Sequence, residues 1–479
     1  MNHVSNRRWK LVSRTLALVL AALALGGCGV ASSQRTPTPR PATAAPTLAA
    51  TPPVSLTTPT PDPAVLLKDG GIAIIESAFS RLMDEYIEPV NSARLLDAAW
   101  TSLGQEADAE GLSIPIKPAF SDDRASDVAL FRSAYVKLTA SVTDATKLRY
   151  AAIRGMAATL QDCHTYFLNP VAANTLVDTR AGEGAVGIGI DLAGVPPLVT
   201  EVIDGGPAAR AGVLVGDRIA AIDGTDASAL GPAGAFDLIN GHAGSPVTLR
   251  LRRPNASSPI ELSATRERVV PKNIEARLID GHIGYARIRN FVDGGIATSL
   301  RDALAALDAQ GATSYLLDVR GNPGGRLDTA AISLFVKDGV VVRDRGRNGK
   351  IEEERATGGT LPTPVASAPT QRPTVLLANN RTGSVAEIFA AALQEYHAAF
   401  LIGAATNGCV GFTDVAPLGD GSSLAVTTHV NLGPVSGRAL NGAGVVPDQA
   451  VARTQDDIAN GRDPQLDAAV SLLSLPRTP

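Results

Sequence analysis

Residues 374–396 read TVLLANNRTGSVAEIFAAALQEY, and this stretch decides how the C-terminal half of the chain is built. Thr374 to Ala378 is a short uncharged run without polar alternation, the pattern of a strand covered on both faces. Asn379, Asn380, Arg381, Thr382 and Gly383 follow, and residues of these types favour a turn. From Ser384 to about Tyr396 apolar residues recur at helical spacing. Ser384 with Glu387 three positions on is a capping-box pattern, which starts the helix at the serine. A buried strand running through a short turn into a helix is the repeating unit of an α/β layer.

The alternation extends upstream. Residues 283–288 (IGYARI) are strand-like, residues 296–307 have helical periodicity, and residues 314–319 (SYLLDV) form another buried strand. Asn322-Pro323-Gly324-Gly325 behind that strand predicts a tight turn. From Gly182 to about Arg268 the texture is different: β-type runs at 186–190, 198–202, 218–222 and 247–251 are separated by glycine turns, as in a small β domain. Residues 68–170 read as helical, with Ile72, Ile74, Ile75, Ala78, Phe79, Leu82, Met83 and Tyr86 on one stripe. Val128, Leu130, Phe131, Tyr135 and Leu138 make another. A long loop is expected over 105–125, and residues 350–355 (KIEEER) are expected as an exposed loop. There is no internal repeat and no nucleotide-binding glycine fingerprint.

Composition narrows the function. The chain has 479 residues, enough for several domains, and a formal net charge of −4. Arg7, Arg8, Lys10 and Arg14 are unopposed by acids in the first 27 residues, so the remainder is more acidic still and no nucleic-acid surface is expected. Three cysteines exclude a disulfide-rich scaffold and a four-thiolate zinc site. His242, His397 and His429 have no mutual metal spacing. No metal or organic cofactor is implied.

The N-terminus reads as an address. The four basic residues precede an apolar run, LALVLAALAL, and then Leu25-Gly26-Gly27-Cys28. The pattern is an export signal over residues 1–27, and its end resembles a bacterial lipobox, which implies lipid on the Cys28 thiol. Nine prolines and eight threonines between Ala31 and Pro63 make residues 28–63 an extended linker. The expected location is the outer face of a bacterial membrane, held there by lipid.

Two longer matches carry a family resemblance. GAVGIGI at 184–190 with EVIDGGPAARAGVLVGDRIAAIDGTD at 201–226 resembles a PDZ domain. Val186, Gly187, Ile188 and Gly189 would bind a peptide there, because glycines let backbone N–H groups face a terminal carboxylate beside an open strand edge. Residues 152–169, 281–325 and 374–448 occur in order around it, and together they resemble the C-terminal processing (tail-specific) serine proteases. The resemblance implies a multidomain α+β protein: a helical N-terminal region (64–181), a PDZ β-barrel-like domain (182–268), an α/β core of crotonase/Clp-like fold (269–455) and a C-terminal segment (456–479).

The resemblance also assigns chemistry. Ser384 matches the nucleophile and Glu387 the glutamate that follows it. From local sequence the same serine is simply a helix cap, and the two roles coexist because a helix N-terminus stabilises developing negative charge. The N–H of Val385 would be one oxyanion donor, and that of Gly324 or Gly325 the other. A serine hydroxyl needs a base. The family mostly uses a lysine in a segment resembling G-x-x-T-x-G-K-G. Here Gly403-Ala404-Ala405-Thr406-Asn407-Gly408-Cys409-Val410 places Cys409 at the lysine position, Thr413 stands where a supporting glutamine belongs, and no lysine follows Lys350. His164 matches the catalytic histidine of tricorn-like relatives, and Asn441 stands at the position of their glutamate, where it would orient the imidazole. Cys163 and Cys409 should approach one cleft, and with Cys28 consumed by lipid an exported chain leaves this pair for a disulfide. The expected activity is serine endopeptidase action on unstructured polypeptide C-termini. The rival is a pseudoprotease that keeps the folds, has lost its base and only binds peptides. The sequence does not determine the oligomeric state.

Overall fold

The structure is a computed structural model, and it describes residues 66–475 apart from 181–184, 231, 255, 271, 293 and 358–371. The expected signal segment, Cys28, the linker and the start of the PDZ match at 182–184 lie outside the described residues.

Four helices open the described chain: α1 (Ile72–Glu85), α2 (Ser92–Ala109), α3 (Arg124–Thr139) and α4 (Thr146–Ala158). In α1 the buried positions are Ile74, Ile75, Ala78, Phe79 and Leu82, one stripe at helical spacing. Asn91 caps α2 by accepting the Arg94 N–H, and Asp123 caps α3 by accepting that of Ser126. Because α2 continues to Ala109, the expected loop begins later than the composition suggested. Gly155 on α4 allows a close crossing with α2, since a Cβ there would lie 2.5 Å from the Ala98 carbonyl oxygen. Trp100 meets Phe131 edge to face at 5.8 Å across this cluster.

The chain leaves α4 through residues 159–165 and enters β1 (Tyr166–Leu168), which pairs antiparallel with a long strand of the core, Tyr166 opposite Ala425. The turn with Asp162, Cys163 and His164 is thereby carried onto the core.

The small β domain expected over 182–268 follows. Its β2 (Ala185–Gly187) pairs with β8 (Glu267–Val269), and a sheet runs β3 (Ile190–Ala193), β4 (Leu198–Val202), β5 (Arg218–Ile222), β6 (Pro246–Arg252) and β7 (Ile260–Thr265) in that spatial order. The helices are α5 (Pro207–Ala211) and α6 (Pro232–Ile239). Its own core contains Ile188, Leu192, Val199, Ile219, Ile222, Val247 and Leu249.

The C-terminal core is built on a mixed sheet. In chain order its main elements are β9 (Ile274–Ile279), β10 (Ile283–Ile288), α7 (Ile296–Ala309), β11 (Ser314–Asp318), β12 (Val340–Gly346), β13 (Ile351–Arg355), β14 (Thr374–Ala378), α8 (Val385–Glu395), β15 (Phe400–Gly403), β16 (Gly411–Pro417), β17 (Ser423–Leu432), β18 (Gln449–Ala450) and α9 (Pro464–Leu473). The main sheet has the order β9-β10-β11-β14-β15-β18, antiparallel only at β9–β10. Leu317, Leu376 and Leu401 stand in register across its centre. All five residues of β11 and of β14 are buried, as expected of strands covered on both faces. Helices α7 and α8 cover one face. Helix α9 covers the other, with Ala469 fully buried among Leu316, Val375, Leu377 and Ile402. Through α9 the C-terminal segment after residue 455 packs on this core. A second sheet, β1-β17-β12-β13 with β16 on β17, carries the helical region: Leu424, Val426 and Val430 of β17 belong to the cluster of α1–α4. Residues 351–355, expected as a loop, form edge strand β13 with every residue exposed.

Arginine–carboxylate pairs dock the small β domain on the C-terminal core. Glu201 of β4 meets Arg287 and Arg289 of that core. Arg381 meets Asp191 of β3 and donates to the Thr200 hydroxyl at 3.0 Å.

Candidate active site

Ser384 stands between β14 and α8 with φ 53° and ψ −125°, a left-handed backbone that a side chain beyond glycine resists. Such strain costs about 1–3 kcal/mol and persists only where the surroundings over-determine it. Three bonds do so. The Ser384 N–H donates to the Cys409 carbonyl at 2.8 Å and to the Glu387 carboxylate at 3.1 Å, and the Gly383 N–H donates to the Asn322 carbonyl at 2.9 Å. One residue earlier, the buried Thr382 hydroxyl donates to the Val319 carbonyl at 2.8 Å. The turn is thereby fixed to β11 on one side and to the segment of Cys409 on the other.

Glu387 is fully buried. Its carboxylate accepts the N–H groups of Ser384, Gly408 at 2.7 Å and Cys409 at 3.0 Å, together with the Thr406 hydroxyl. Burial pushes its pKa up, while these four donors pull it down. Every donor is a group of the two flanking loops, and in this geometry the Glu387 carboxylate holds the Ser384 turn against the segment of Cys409. Thr406, given no role by the sequence, completes the clamp: it also accepts the Val445 N–H at 2.7 Å. A threonine in a run of small residues was the signal available for it.

The oxyanion donors divide. Among the described residues the Val385 N–H has no acceptor. The Gly324 N–H does have one, the Asn322 side-chain oxygen at 2.8 Å, and Asn322 is itself fully buried with its amide on the Ile288 carbonyl. Gly324 is thereby removed as a donor. The Gly325 N–H has no acceptor among the described residues and remains the second candidate. Gly324 serves differently: a Cβ there would lie 2.6 Å from that of Ser384, so only glycine lets this loop touch the serine.

Cys163 and Cys409 are joined by a disulfide, with Cα atoms 6.0 Å apart. His164 lies against it, Nδ1 being 3.3 Å from Cys409 Sγ and 3.5 Å from Cys163 Sγ. Burial pushes the imidazole pKa below its ordinary value, opposed in part by the Asp162 carboxylate. No hydrogen bond joins His164 to Ser384 among the described residues. Asn441 makes no hydrogen bond to the imidazole among the described residues. Its side-chain oxygen accepts the Val410 N–H at 3.1 Å, and its role is to hold the strand entry beside Cys409.

In the small β domain Val186 and Gly187 pair with Arg268 and Glu267. The Ile188 carbonyl accepts the Ala208 N–H and the Gly189 carbonyl that of Ile203. Gly189 has φ 74°, and its N–H has no acceptor among the described residues. A cavity of about 380 Å³ runs between this domain and the core, lined by Ile190, Asp191, Ile203, Pro323 and Arg381 among others.

A strained serine at the head of a buried helix, beside backbone N–H groups that have no acceptor among the described residues, is an arrangement suited to a serine-type hydrolase. Comparison with known proteins agrees. The model of peptidase family S41 matches residues 282–451 and a PDZ-domain model matches residues 198–253. The carboxy-terminal-processing protease of Bartonella bacilliformis is 32% identical over 330 residues, 67% of this chain and 74% of that protein. The carboxyl-terminal-processing protease of Synechocystis is 31% identical over 359 residues, 72% of this chain and 81% of that protein. A solved photosystem II D1 C-terminal processing protease shares the fold, with a TM-score of 0.53 at 24% identity over 84% of this chain and 97% of that one. The chain belongs to the carboxyl-terminal processing proteases of peptidase family S41, and it is a serine-type peptidase with a PDZ domain.

Proposed function

We propose that this peptidase works without the lysine usual in its family, with Ser384 as nucleophile and His164 as base. Ser384 Oγ attacks the scissile carbonyl and passes its proton to His164, the N–H groups of Val385 and Gly325 hold the oxyanion, and water releases the acyl-enzyme. The observation that carries this reading is the strained Ser384 held by Glu387 and by the Cys409 carbonyl, with His164 3.3 Å from the sulfur of that same cysteine. The substrate is an exported polypeptide whose unstructured C-terminus is captured along residues 186–189. Support comes from the free N–H of Gly189 and from the cavity that joins Ile190 and Ile203 to Pro323, next to the oxyanion turn. Lipid on Cys28 would hold the enzyme at the outer face of a membrane, a reading that rests on residues 25–28 alone.

The test is cleavage of an unfolded protein with an apolar C-terminus by the full chain and by Ser384→Ala. The expected loss in the variant is at least about 1,000-fold. Equal rates in the two would remove Ser384 as nucleophile. No cleavage by either, with peptide binding intact, would favour the binding-only reading.

A further inference from the structure

Cys163, His164 and Cys409 bring three ligand atoms within 4.8 Å of one another. The His164 Nδ1 stands 3.5 Å and 3.3 Å from the two sulfurs. Tetrahedral zinc, with bonds of about 2.3 Å to sulfur and about 2.0 Å to nitrogen, sets its N···S edges at about 3.5 Å. The two nitrogen–sulfur edges of such a tetrahedron are therefore already in place, and the covalent link between the sulfurs is what prevents the third. Once that link is opened, the sulfurs separate toward the roughly 3.8 Å that two zinc–thiolate bonds require. Cys163 is exposed, and His164 and Cys409 are half-buried, so a reductant and an ion both have access. The two oxygens of the Asp162 carboxylate are engaged by the His164 N–H and the Thr165 hydroxyl, so the site has three protein ligands and an open fourth position for water.

We propose that reduction of the Cys163–Cys409 disulfide creates a Cys2His zinc site beside Ser384. A dithiol supplies two electrons and two protons: the S–S bond breaks, two thiols form, and the dithiol leaves as its own disulfide. Zinc then displaces both thiol protons to solvent and binds Cys163 Sγ, Cys409 Sγ and Nδ1 of the neutral imidazole. Thiolate ligands select zinc over hard cations such as magnesium. An imidazole bound through Nδ1 carries its proton on Nε2, so neither nitrogen accepts a proton from Ser384. Zinc thus silences the reduced enzyme and has no purchase on the oxidised one. The silencing rests on His164 as base; the metal site does not.

The experiment uses the full chain, reduced with a dithiol, desalted without oxygen and titrated with Co2+ as a spectroscopic stand-in. The expected result is one Co2+ per chain with a thiolate-to-cobalt charge-transfer band, displaced by Zn2+ and absent from the oxidised chain. Cys163→Ser, Cys409→Ser and His164→Ala should each weaken binding more than about 100-fold, beyond the loss of an outer-shell partner. A Cys163→Ser/Cys409→Ser double variant with native circular dichroism separates metal loss from unfolding. A reduced chain without the band, a band that persists in the double variant, or loss of native circular dichroism on reduction would overturn the proposal. In a parallel arm Zn2+ should stop cleavage by the reduced chain, and a chelator should restore it. Cobalt binding with cleavage unaffected by zinc would keep the site and remove His164 as base.

Discussion

Glu387 shows how much of this site depends on one carboxylate. Its two oxygens hold four donors from two loops, and three of these are backbone N–H groups at 2.7 to 3.1 Å. Replacing one oxygen by an amide NH2 turns that end into a donor facing donors. Glu387→Gln should therefore cost about 2–3 kcal/mol of stability and lower kcat more than it raises KM, measured by denaturant unfolding and steady-state kinetics. An unchanged unfolding midpoint would mean that the clamp is dispensable. The residue types at this site were legible in the sequence: Ser384, His164, Val385 and the cysteine pair could be named before any coordinates. What could not be read was which N–H stays open. Gly324 and Gly325 are equivalent in sequence, and only the reach of the Asn322 side chain separates them. The same holds for Asn441, whose partner depends on which atom of a neighbouring loop it meets.

Among the elements, the buried strands β11 and β14 and the helix α8 were the most legible, because burial on both faces and helical spacing leave plain patterns. Strand β13 was not. An edge strand exposed on every residue has no alternation to read, and its charges, which discourage edge pairing, look like a loop. Its neighbour β12 carries a titratable group in a costly place. Asp344 is buried opposite Asn431, and burial, reinforced by Glu354 and Glu352, pushes its pKa up to about 7. Because the folded value lies above the unfolded one, its contribution to stability is complete at acid pH and is lost as pH rises through about 7. The buried Asn431 side-chain oxygen has no partner among the described residues, and an amide at position 344 would supply a donor. Asp344→Asn should raise Tm by at least about 2 °C at pH 8 and by less at pH 5, read by differential scanning calorimetry. A larger gain at pH 5 would contradict the ionisation argument.

At the scale of the molecule, the site exists because distant parts of the chain are tied together. Helix α4 leads into the turn of Cys163 and His164, β1 pairs that turn's continuation with β17, and the disulfide closes it onto Cys409, 246 residues away in sequence. The PDZ domain is inserted between these parts and pinned by Glu201 and Arg381. The order of domains was readable from the ordered motifs. The PDZ–core contact was not, since single arginines and acids carry no mark of pairing across domains. The central claim is that Ser384 acts with His164 in place of a lysine. The most direct measurement is the rate at which a fluorophosphonate modifies the oxidised full chain and its His164→Ala variant, with the modified peptide located by mass spectrometry. The account predicts modification on Ser384 and a rate at least about 100-fold lower in the variant. Modification elsewhere, or equal rates in the two proteins, would contradict it.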